Sequence, residues 1–422
     1  MATASGIEKK VILAPQAAKG TVAVADLATA QYLRRVTSSL NVTKETYQSN
    51  EIRADRQVGD FRHGVQSVEG SISGELSPGT YQRLMAAILR KAWATGVSMN
   101  AGEANNCAAA NTATATGTFT RDDVDGSWLV DGFKVGDVVR FTGWDSPATA
   151  NNAHNFLITA VTATVMTVTG LDGVGPVTRA KGDNVTCAVQ GKKVWTPTTG
   201  HTEDWFTVEH NYSDVDLSEL YWDLKVNSMA VKLPATGLAT VDFGFMGLNY
   251  TNKASGDAPY FSAVLAAATG GVLAAVNGAL YVQGTKIALL TGLDFDVAGN
   301  LSSEAVVGSN VKPDIFDGRV VVKGNMTVFF EDATFRDYFL NETEVRISAA
   351  FTDSNDADAE FIAFTMGRVK VGGASKDDGE KGIVQTLPFT ALFDTGEVAD
   401  TGATANDRLA TTLSIQDSLA TI

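Results

Sequence analysis

Few side chains in this sequence are placed where they could bind a metal ion or act as nucleophiles. Neither the histidines nor the cysteines are at zinc-ligand spacing from one another; they are His63, His154, His201, His210, Cys107 and Cys187. Two cysteines also do not make a disulfide framework. We therefore predict no metal site and no cofactor. The histidines are expected at the surface or in turns, and both cysteines as small buried or half-buried residues.

Acidic and glycine-rich motifs offer no better candidate for chemistry. An acidic run lacks the glycine and terminal glutamate of a calcium loop, and we interpret it as a solvated turn; it comprises Asp353, Asp356, Asp358 and Glu360. Residues 70–74 resemble a nucleophile elbow, but their middle residue, Ile72, cannot attack a substrate. Carboxylate pairs of the glycosidase type converge only in space, so they stay open. The sequence predicts no catalytic residue.

The composition favours a mainly β protein of two or three domains. The chain has 422 residues, 44% of them apolar, and its 40 glycines against 9 prolines favour short strands joined by tight turns. The formal net charge of −15 disfavours a protein that grips nucleic acid, because phosphate affinity comes from clustered Lys and Arg. The acidity mainly indicates solubility, and it also suits a surface past which DNA must slide without sticking.

No segment is predicted to enter a membrane. Residues 261–282 are mainly Ala and Gly, interrupted by Ser262, Thr269 and Asn277, and lack the bulky apolar side chains of a spanning helix. The first ten residues lack the apolar core of a signal peptide. We expect a soluble protein that is assembled inside the cell.

One stretch of sequence recurs 254 positions later. Residues 49–85 align without gaps with residues 303–339, and identical residues occur at Ser49/Ser303, Asp60/Asp314, Gly64/Gly318, Val68/Val322, Gly70/Gly324 and Thr80/Thr334. In both copies apolar or glycine residues alternate with polar ones around the aligned glycines, which is typical of a half-buried strand. We interpret the match as an internal duplication.

A helix is predicted after the strand of each copy. Ser77 is the expected N-cap, with Pro78 at the first helical position. An apolar stripe at helical spacing follows, formed by Tyr81, Leu84, Met85, Ile88 and Leu89. In the second copy the stripe begins with Phe335, Tyr338 and Phe339, and the helix is expected to be shorter.

Later strands complete each copy. Hairpins are expected to open the copies at 31–48 and 278–300, and further strands at 205–210, 219–233, 240–250, 344–351, 360–371 and 382–392. The chain is thereby divided into an N-terminal arm (1–30), a first repeat (31–93 plus 205–255), an inserted β-barrel decoration domain (94–204), a second repeat (256–395) and a C-terminal arm (396–422). The arms are polar and rich in Ala and Thr, and we expect them to order only against neighbouring subunits.

The insertion is too long for an ordinary loop. It opens with an Ala/Thr/Asn-rich run at 105–118, which we interpret as a linker. Strands are then predicted at 127–130, 135–142, 156–161, 165–169 and 185–189. Five short strands between glycine-rich turns indicate a small barrel or sandwich that projects outward.

The two repeats resemble the phage tail tube proteins of long, flexible, non-contractile tails. In the first copy the resemblance rests on E-x-R-x-D-R-Q at 51–57, V-x-G-S-I-S-G-E-L at 68–76 and the Tyr-plus-Leu helix. In the second it rests on residues 306–309, 317–324, 329–332 and 387–392. It covers roughly residues 30–93 and 205–395. The insertion departs from the minimal pattern and resembles surface-decorating modules of other tail proteins.

The resemblance implies a mainly β fold. Two tandem β-sandwich or half-barrel repeats, each with one flanking helix, would carry a small inserted β-barrel. It also implies a structural virion protein without enzyme activity, whose sheets join between subunits into stacked rings. Two repeats per chain imply trimeric rings with pseudo-sixfold symmetry. The implied partners are further copies of the chain, the tape measure, tail terminator and distal tail proteins, and double-stranded DNA in transit. The implied location is the virion tail, assembled in the host cytoplasm.

Two sets of residues are assigned through the resemblance. The loop at 50–63 resembles the loop that docks on the neighbouring ring, with Arg53, Asp55, Arg56, Asp60 and Arg62 as contact residues. The polar strand face is the candidate lumen wall, formed by Ser67, Glu69, Ser71, Ser73, Glu75, Asn325 and Thr327. Lys323 makes this face less than purely acidic. A solvated loop and an outer solvated face are the alternatives.

Two other functions stay open at the level of sequence. One is a head-decoration or connector subunit. The other is a carbohydrate-binding or depolymerising tail protein that uses the insertion as its binding module. Polymerisation into rings or tubes distinguishes the tube protein from both.

Overall fold

The fold is mainly β, as predicted. The computed structural model describes residues 3–99, 107–121, 126–254, 256–377, 380, 382–395 and 411–422. Strands hold 46% of the residues and helices 6%. One large sheet and a separate six-stranded sheet account for all the strands of the described residues.

The elements follow in chain order. Up to residue 99 they are β1 (Lys9–Pro15), β2 (Gln31–Tyr32), β3 (Thr37–Ser38), β4 (Asn41–Gln48), β5 (Phe61–Glu75), α1 (Gln82–Leu89) and β6 (Ala94–Thr95). The next are β7 (Cys107–Asn111), β8 (Thr116–Arg121), β9 (Val138–Thr142), β10 (Phe156–Val161), β11 (Val165–Gly170), β12 (Thr186–Val189) and β13 (Lys192–Trp195). Then come β14 (Phe206–Tyr212), β15 (Leu217–Pro234), β16 (Thr240–Lys253), β17 (Gly278–Val282), β18 (Thr285–Lys286) and β19 (Leu290–Ala298). The last are β20 (Val321–Phe329), α2 (Thr334–Leu340), β21 (Val345–Thr352), β22 (Phe361–Val371), β23 (Ser375–Lys376), β24 (Val384–Leu392) and β25 (Ser414–Asp417).

Seven antiparallel strands form a continuous layer through the large sheet. Their order is β4-β5-β16-β15-β19-β20-β24. β3 continues the line of β4 and pairs with β5 in the same register. The ladder between β15 and β19, from Ser228↔Ala298 to Pro234↔Gly292, joins the two halves of the chain. The layer therefore runs across both halves without a break.

The two halves arrange their strands in the same order. β5 lies between β4 and β16, where Gly70 is opposite Phe245. β20 lies between β19 and β24, where Gly324 is opposite Phe389. The flanking strands also correspond, because β1 pairs with β14 and β14 with β15, while β17 pairs with β21 and β21 with β22. A helix follows β5 and another follows β20.

The core lies on one side of the seven-strand layer. Val68 and Ile72 of β5, Phe243 of β16, Phe295 of β19 and Leu387 of β24 are buried in one cluster. Period-two alternation puts these side chains on a single face. The predicted stripe of α1 is wholly buried in the same cluster and packs against β15 and β13. The opposite face of the layer carries polar side chains.

The helices differ from the prediction at their ends. α1 begins at Gln82, and the prediction of Ser77 as its N-cap is wrong. Gly79 has a φ of +73°, and Ser77 Oγ is 2.7 Å from Thr80 Oγ1, so residues 77–80 form a turn before the helix. α2 spans seven residues. Its Phe339 is 39% exposed and does not join a buried stripe, unlike the half-buried Phe335 and Tyr338.

The second sheet has the order β12-β9-β10-β11-β8-β7 and a core of its own. The interpretation of residues 105–118 as a linker is wrong for the described part, since β7 and the first half of β8 lie there; residues 105 and 106 are outside the described residues. The strand predicted at 127–130 is instead a turn, in which Asp131 N donates to Ser127 O. Cys107 and Cys187 are buried in this core, as predicted.

Residues near both ends of the chain belong to the large sheet. β1 pairs along its whole length with β14, and β25 pairs with both β13 and β22. The expectation that these arms order only against neighbouring subunits is therefore wrong for both strands, because their apolar residues find partners within the chain. Residues 396–410 lie outside the described residues.

The second sheet packs against β17, β21 and β22. Val138 and Leu157 share a buried cluster with Tyr281, Ala350 and Phe361. Within the described part of the chain, neither helix has the length and apolar character needed to span a bilayer.

Candidate assembly surfaces

The seven-strand layer exposes one continuous polar face. Here, "the polar face" means the side of the layer opposite the buried core. All seven residues predicted as lumen-facing lie on it and are exposed or half-buried: Ser67, Glu69, Ser71, Ser73, Glu75, Asn325 and Thr327. They alternate with the buried Val68, Ile72, Val322 and Met326. The structure thus brings both predicted sets onto one surface.

Neighbouring strands add polar-face residues that were not singled out from the sequence. Ser71 Oγ donates to Asp242 Oδ2 of β16 at 3.1 Å, and Asn325 Nδ2 donates to Asp294 Oδ2 of β19 at 3.2 Å. Asp296 is two residues further along β19 and is exposed. Because the apolar Val241, Phe243 and Phe245 alternate along β16, the sequence alone indicates that Asp242 lies on the opposite face. The pairing of β19 with β15 and β20 had no local signal.

Acidic groups dominate the charge of the polar face. Its carboxylates are those of Glu69, Glu75, Asp242, Asp294 and Asp296, and its lysines are Lys232 and Lys323. Lys323 is directly opposite Asp296 in the ladder, and Lys232 is opposite Asp294. Each lysine is thus paired across the strands with an aspartate, whose negative charge reduces the attraction of the site for phosphate. The face is polar, net acidic and without a basic cluster.

The β4–β5 hairpin extends away from the layer. Its loop, residues 49–60, contains the charged residues predicted as ring contacts, and Arg62 follows at the start of β5. Arg53 Nη2 is 2.9 Å from Asp55 Oδ2, and Arg62 Nε is 2.8 Å from Asp60 Oδ2. The hydrogen bond from Arg53 lowers the pKa of the Asp55 carboxyl. Both pairs are exposed, and exposed pairs contribute little to stability.

Apolar side chains on the same hairpin are also exposed. Ile52 is fully exposed, and Val58 and Phe61 are 59% and 51% exposed. The loop that precedes β20 in the second half behaves differently. Its Ile315 is 2% exposed and packs with Trp205 and Leu248 of the first half. The base of the second-half loop is therefore covered at Ile315, while the matching position of the first-half hairpin, Phe61, is exposed.

Two edges of the layer carry no further strand among the described residues. One is the side of β3 and β4 that faces away from β5. The other is residues 374–377, which include β23 and bond only to β24. Unpaired edges are templates for pairing with another chain. The layer therefore has one open edge at each end.

The four histidines divide between the surface and the interior. His63 and His201 are exposed, but the prediction of surface or turn positions is wrong for His154 and His210, which are 4% and 1% exposed. Burial, together with the positive charges of Lys9 and Arg35, lowers the pKa of His210 to about 3. Its Nε2 is 2.8 Å from Ser38 Oγ. A lone histidine within an apolar strand gives no sequence signal that separates burial from exposure.

No three metal-binding side chains converge in the parts of the chain that the structure describes. The acidic run from Asp353 to Glu360 forms the turn between β21 and β22, where Glu360 N donates to Asp353 Oδ1 at 3.1 Å. The surfaces that the structure does provide are a polar sheet face, two open strand edges and an exposed hairpin. These are the features of a subunit that associates with other subunits.

A comparison with known families identifies what this arrangement belongs to. The family model described as phage tail tube protein matches residues 6–391, which span both halves of the seven-strand layer and the second sheet. No curated protein matches the chain at a significant level. The family is structural rather than enzymatic, and its members assemble with other proteins of the virion tail. This chain belongs to the phage tail tube protein family.

Proposed function

We propose that the chain forms trimeric rings with pseudo-sixfold symmetry, which stack into the tube of a long, non-contractile phage tail. The observation that carries the proposal is the shared strand order of the two halves, joined by the β15–β19 ladder. If residues 31–93 with 205–255 form one repeat and residues 256–395 a second, each chain supplies two similar sectors of a ring. Three chains then give six sectors.

The polar face is proposed to line the channel. It is uncovered except near Leu248, where Ile315 and Trp205 pack on it, since the core and α1 occupy the other side. Its carboxylates repel the phosphates of double-stranded DNA, and its two lysines lie opposite aspartates. A wall of this kind lets the genome pass without binding it. The second sheet, residues 107–189, packs on β17, β21 and β22 away from this face, which suits a decoration domain on the outside.

The β4–β5 hairpin is proposed to contact the neighbouring ring through Arg53, Asp55, Arg56, Asp60 and Arg62. Its exposed ion pairs can exchange partners with charges on a second ring at little cost. Such contacts weaken as salt screens them, whereas strand ladders within a ring do not. The tape measure, tail terminator and distal tail proteins are the proposed further partners, and the host cytoplasm the place of assembly.

Mass measurement and negative-stain imaging of the purified chain test the proposal. A trimeric ring of a 44.4 kDa chain has three times that mass, about 133 kDa. We expect rings of this mass, which stack into tubes as concentration rises. At about 1 M salt the tubes should separate into rings, because the Debye length falls to roughly 3 Å. Six-chain rings, or a chain that stays monomeric at high concentration, would reject the trimer.

A further inference from the structure

Each open edge of the layer corresponds to a strand edge that is already paired within the chain. The pairing around Gly70 and Gly324 gives the correspondence, since each glycine is opposite a phenylalanine of the next strand. Counting along the ladders from these pairs, residues 37–43 occupy the place of residues 292–298. Residues 374–377 occupy the place of residues 229–232. In the first half, residues 229–232 pair with residues 294–297.

The pairing of residues 229–232 with residues 294–297 within the chain therefore serves as a template for the two open edges. Met229 to Lys232 are opposite Val297 to Asp294 within the chain. By this correspondence, residues 374–377 would pair with residues 39–42. These residues cannot reach one another in one chain, because they lie at opposite ends of the layer. The occupant of each edge is thus a second copy of this chain.

The exposed hairpin points to the same occupant. Ile315 corresponds to Phe61 and is buried against Leu248, while the adjacent Gln66 N donates to Asn310 O at 2.8 Å. On the second half, the positions that match Gln66 and Leu248 are Val320 and Leu392. They line an open groove together with Phe393, which is 47% exposed. The free chain thus exposes both an aromatic residue, Phe61, and an open apolar groove at Val320 and Leu392.

We infer that neighbouring subunits of a ring repeat the β15–β19 junction, with Ser375 of one subunit opposite Asn41 of the next and Phe61 of that next subunit in the groove at Val320 and Leu392. This inference rests on the ring proposed above and adds its lateral register. The same template places the backbone of Arg56, the counterpart of Asn310, at Val320, which leaves the side chains of Arg53 and Asp55 for the neighbouring ring.

The template also identifies a cross-linking position. Gly299 N donates to Asn227 O at 2.7 Å, so Asn227/Gly299 is a hydrogen-bonded pair. Pairs alternate along an antiparallel ladder, which makes Ala230/Asp296 a non-hydrogen-bonded pair with close side chains. The matching positions between subunits are Ser375 and Asn41. Both are exposed in the free chain, so cysteines there do not disturb the core.

Oxidation of assembled N41C/S375C tubes tests the register. We expect cross-linked chains up to the trimer on a non-reducing gel, formed at least tenfold faster than in the control N41C/A374C. Position 374 is one residue out of phase, so its side chain points to the other face. Cys107 and Cys187 are buried and leave the background low. Tubes without this cross-link overturn the register alone, whereas a chain that forms no rings overturns the ring proposal as well.

Phe61→Ala provides a second test that does not depend on a disulfide. The side chain is half-exposed in the free chain, so monomer stability should not change. Ring assembly should require about tenfold higher concentration, as measured by sedimentation. Val174→Ala, which trims another exposed apolar residue on the second sheet, is the matched control and should assemble normally. Equal assembly of the two variants would overturn the lateral role of Phe61.

Discussion

The substitution Gly70→Ala should destabilise the chain through the backbone of β5 and not through a lost contact. Gly70 has a φ of +145°, which L side chains rarely adopt, and such strain costs about 1–3 kcal/mol. An added Cβ would also lie 2.6 Å from Ser39 O and 2.7 Å from the Leu40 Cα. Both are backbone atoms, so β3 and β4 must move away from β5.

We expect a total loss of about 3 kcal/mol, which corresponds to a decrease in Tm of roughly 6–12 °C for a domain of ~150–250 residues. Thermal unfolding followed by circular dichroism at fixed protein concentration measures it. Ser71→Ala is the control, since it removes one half-buried hydrogen bond to Asp242 and should cost about 1 kcal/mol or less. A Tm for Gly70→Ala within two degrees of that control would refute the argument from backbone strain.

Three further predictions concern the core, the acid response and the channel. Leu84→Ala in α1 removes a fully buried side chain and should cost about 2–5 kcal/mol in urea unfolding, and a loss below about 1 kcal/mol would contradict the packing of α1. His210 has a folded pKa of about 3 against 6.5 unfolded, so the unfolded chain gains the proton first as pH falls. The free energy of unfolding should therefore fall by at most about 5 kcal/mol as the pH is lowered from about 6.5 to 3. His210→Gln does not titrate and should flatten that part of the profile in acid titrations of unfolding. Reversing the polar face with D294K/D296K should make assembled tubes retain double-stranded DNA in a salt-dependent filter assay and slow ejection from virions, whereas wild-type tubes retain none; equal retention would contradict an acidic channel wall.

The layer was predictable where a strand shows its pattern within its own residues. Val68 and Ile72 alternate with serine and glutamate, so the burial of one side of β5 follows from the sequence. The stripe of α1 was predictable for the same reason, because Leu84 and Ile88 recur at helical spacing. Its first residue was not, since Gly79 turns the chain and donates to Asp417, which lies far away in sequence.

Features that depend on distant pairing were beyond sequence reasoning. β7 and β8 consist largely of Ala, Thr and Gly, and they are strands because β8 pairs with β11 and β7 with β8. The inward positions Cys107 and Ala109 are small and give no hydrophobic alternation of ordinary strength. The contribution of Asp294 and Asp296 to the polar face likewise depends on the pairing of β19 with β15. Local pattern does not specify a partner dozens of residues away.

The position of β25 has a consequence for biosynthesis. This strand is inserted between β13 and β22, and Asp417 accepts a hydrogen bond from Gly79. Ribosomes make residues 414–417 more than two hundred residues after β13, so that part of the sheet cannot close on a nascent chain until β25 has been made. Nascent chains that lack β25 should consequently stay incompetent for polymerisation, which confines tube growth to molecules whose large sheet is complete.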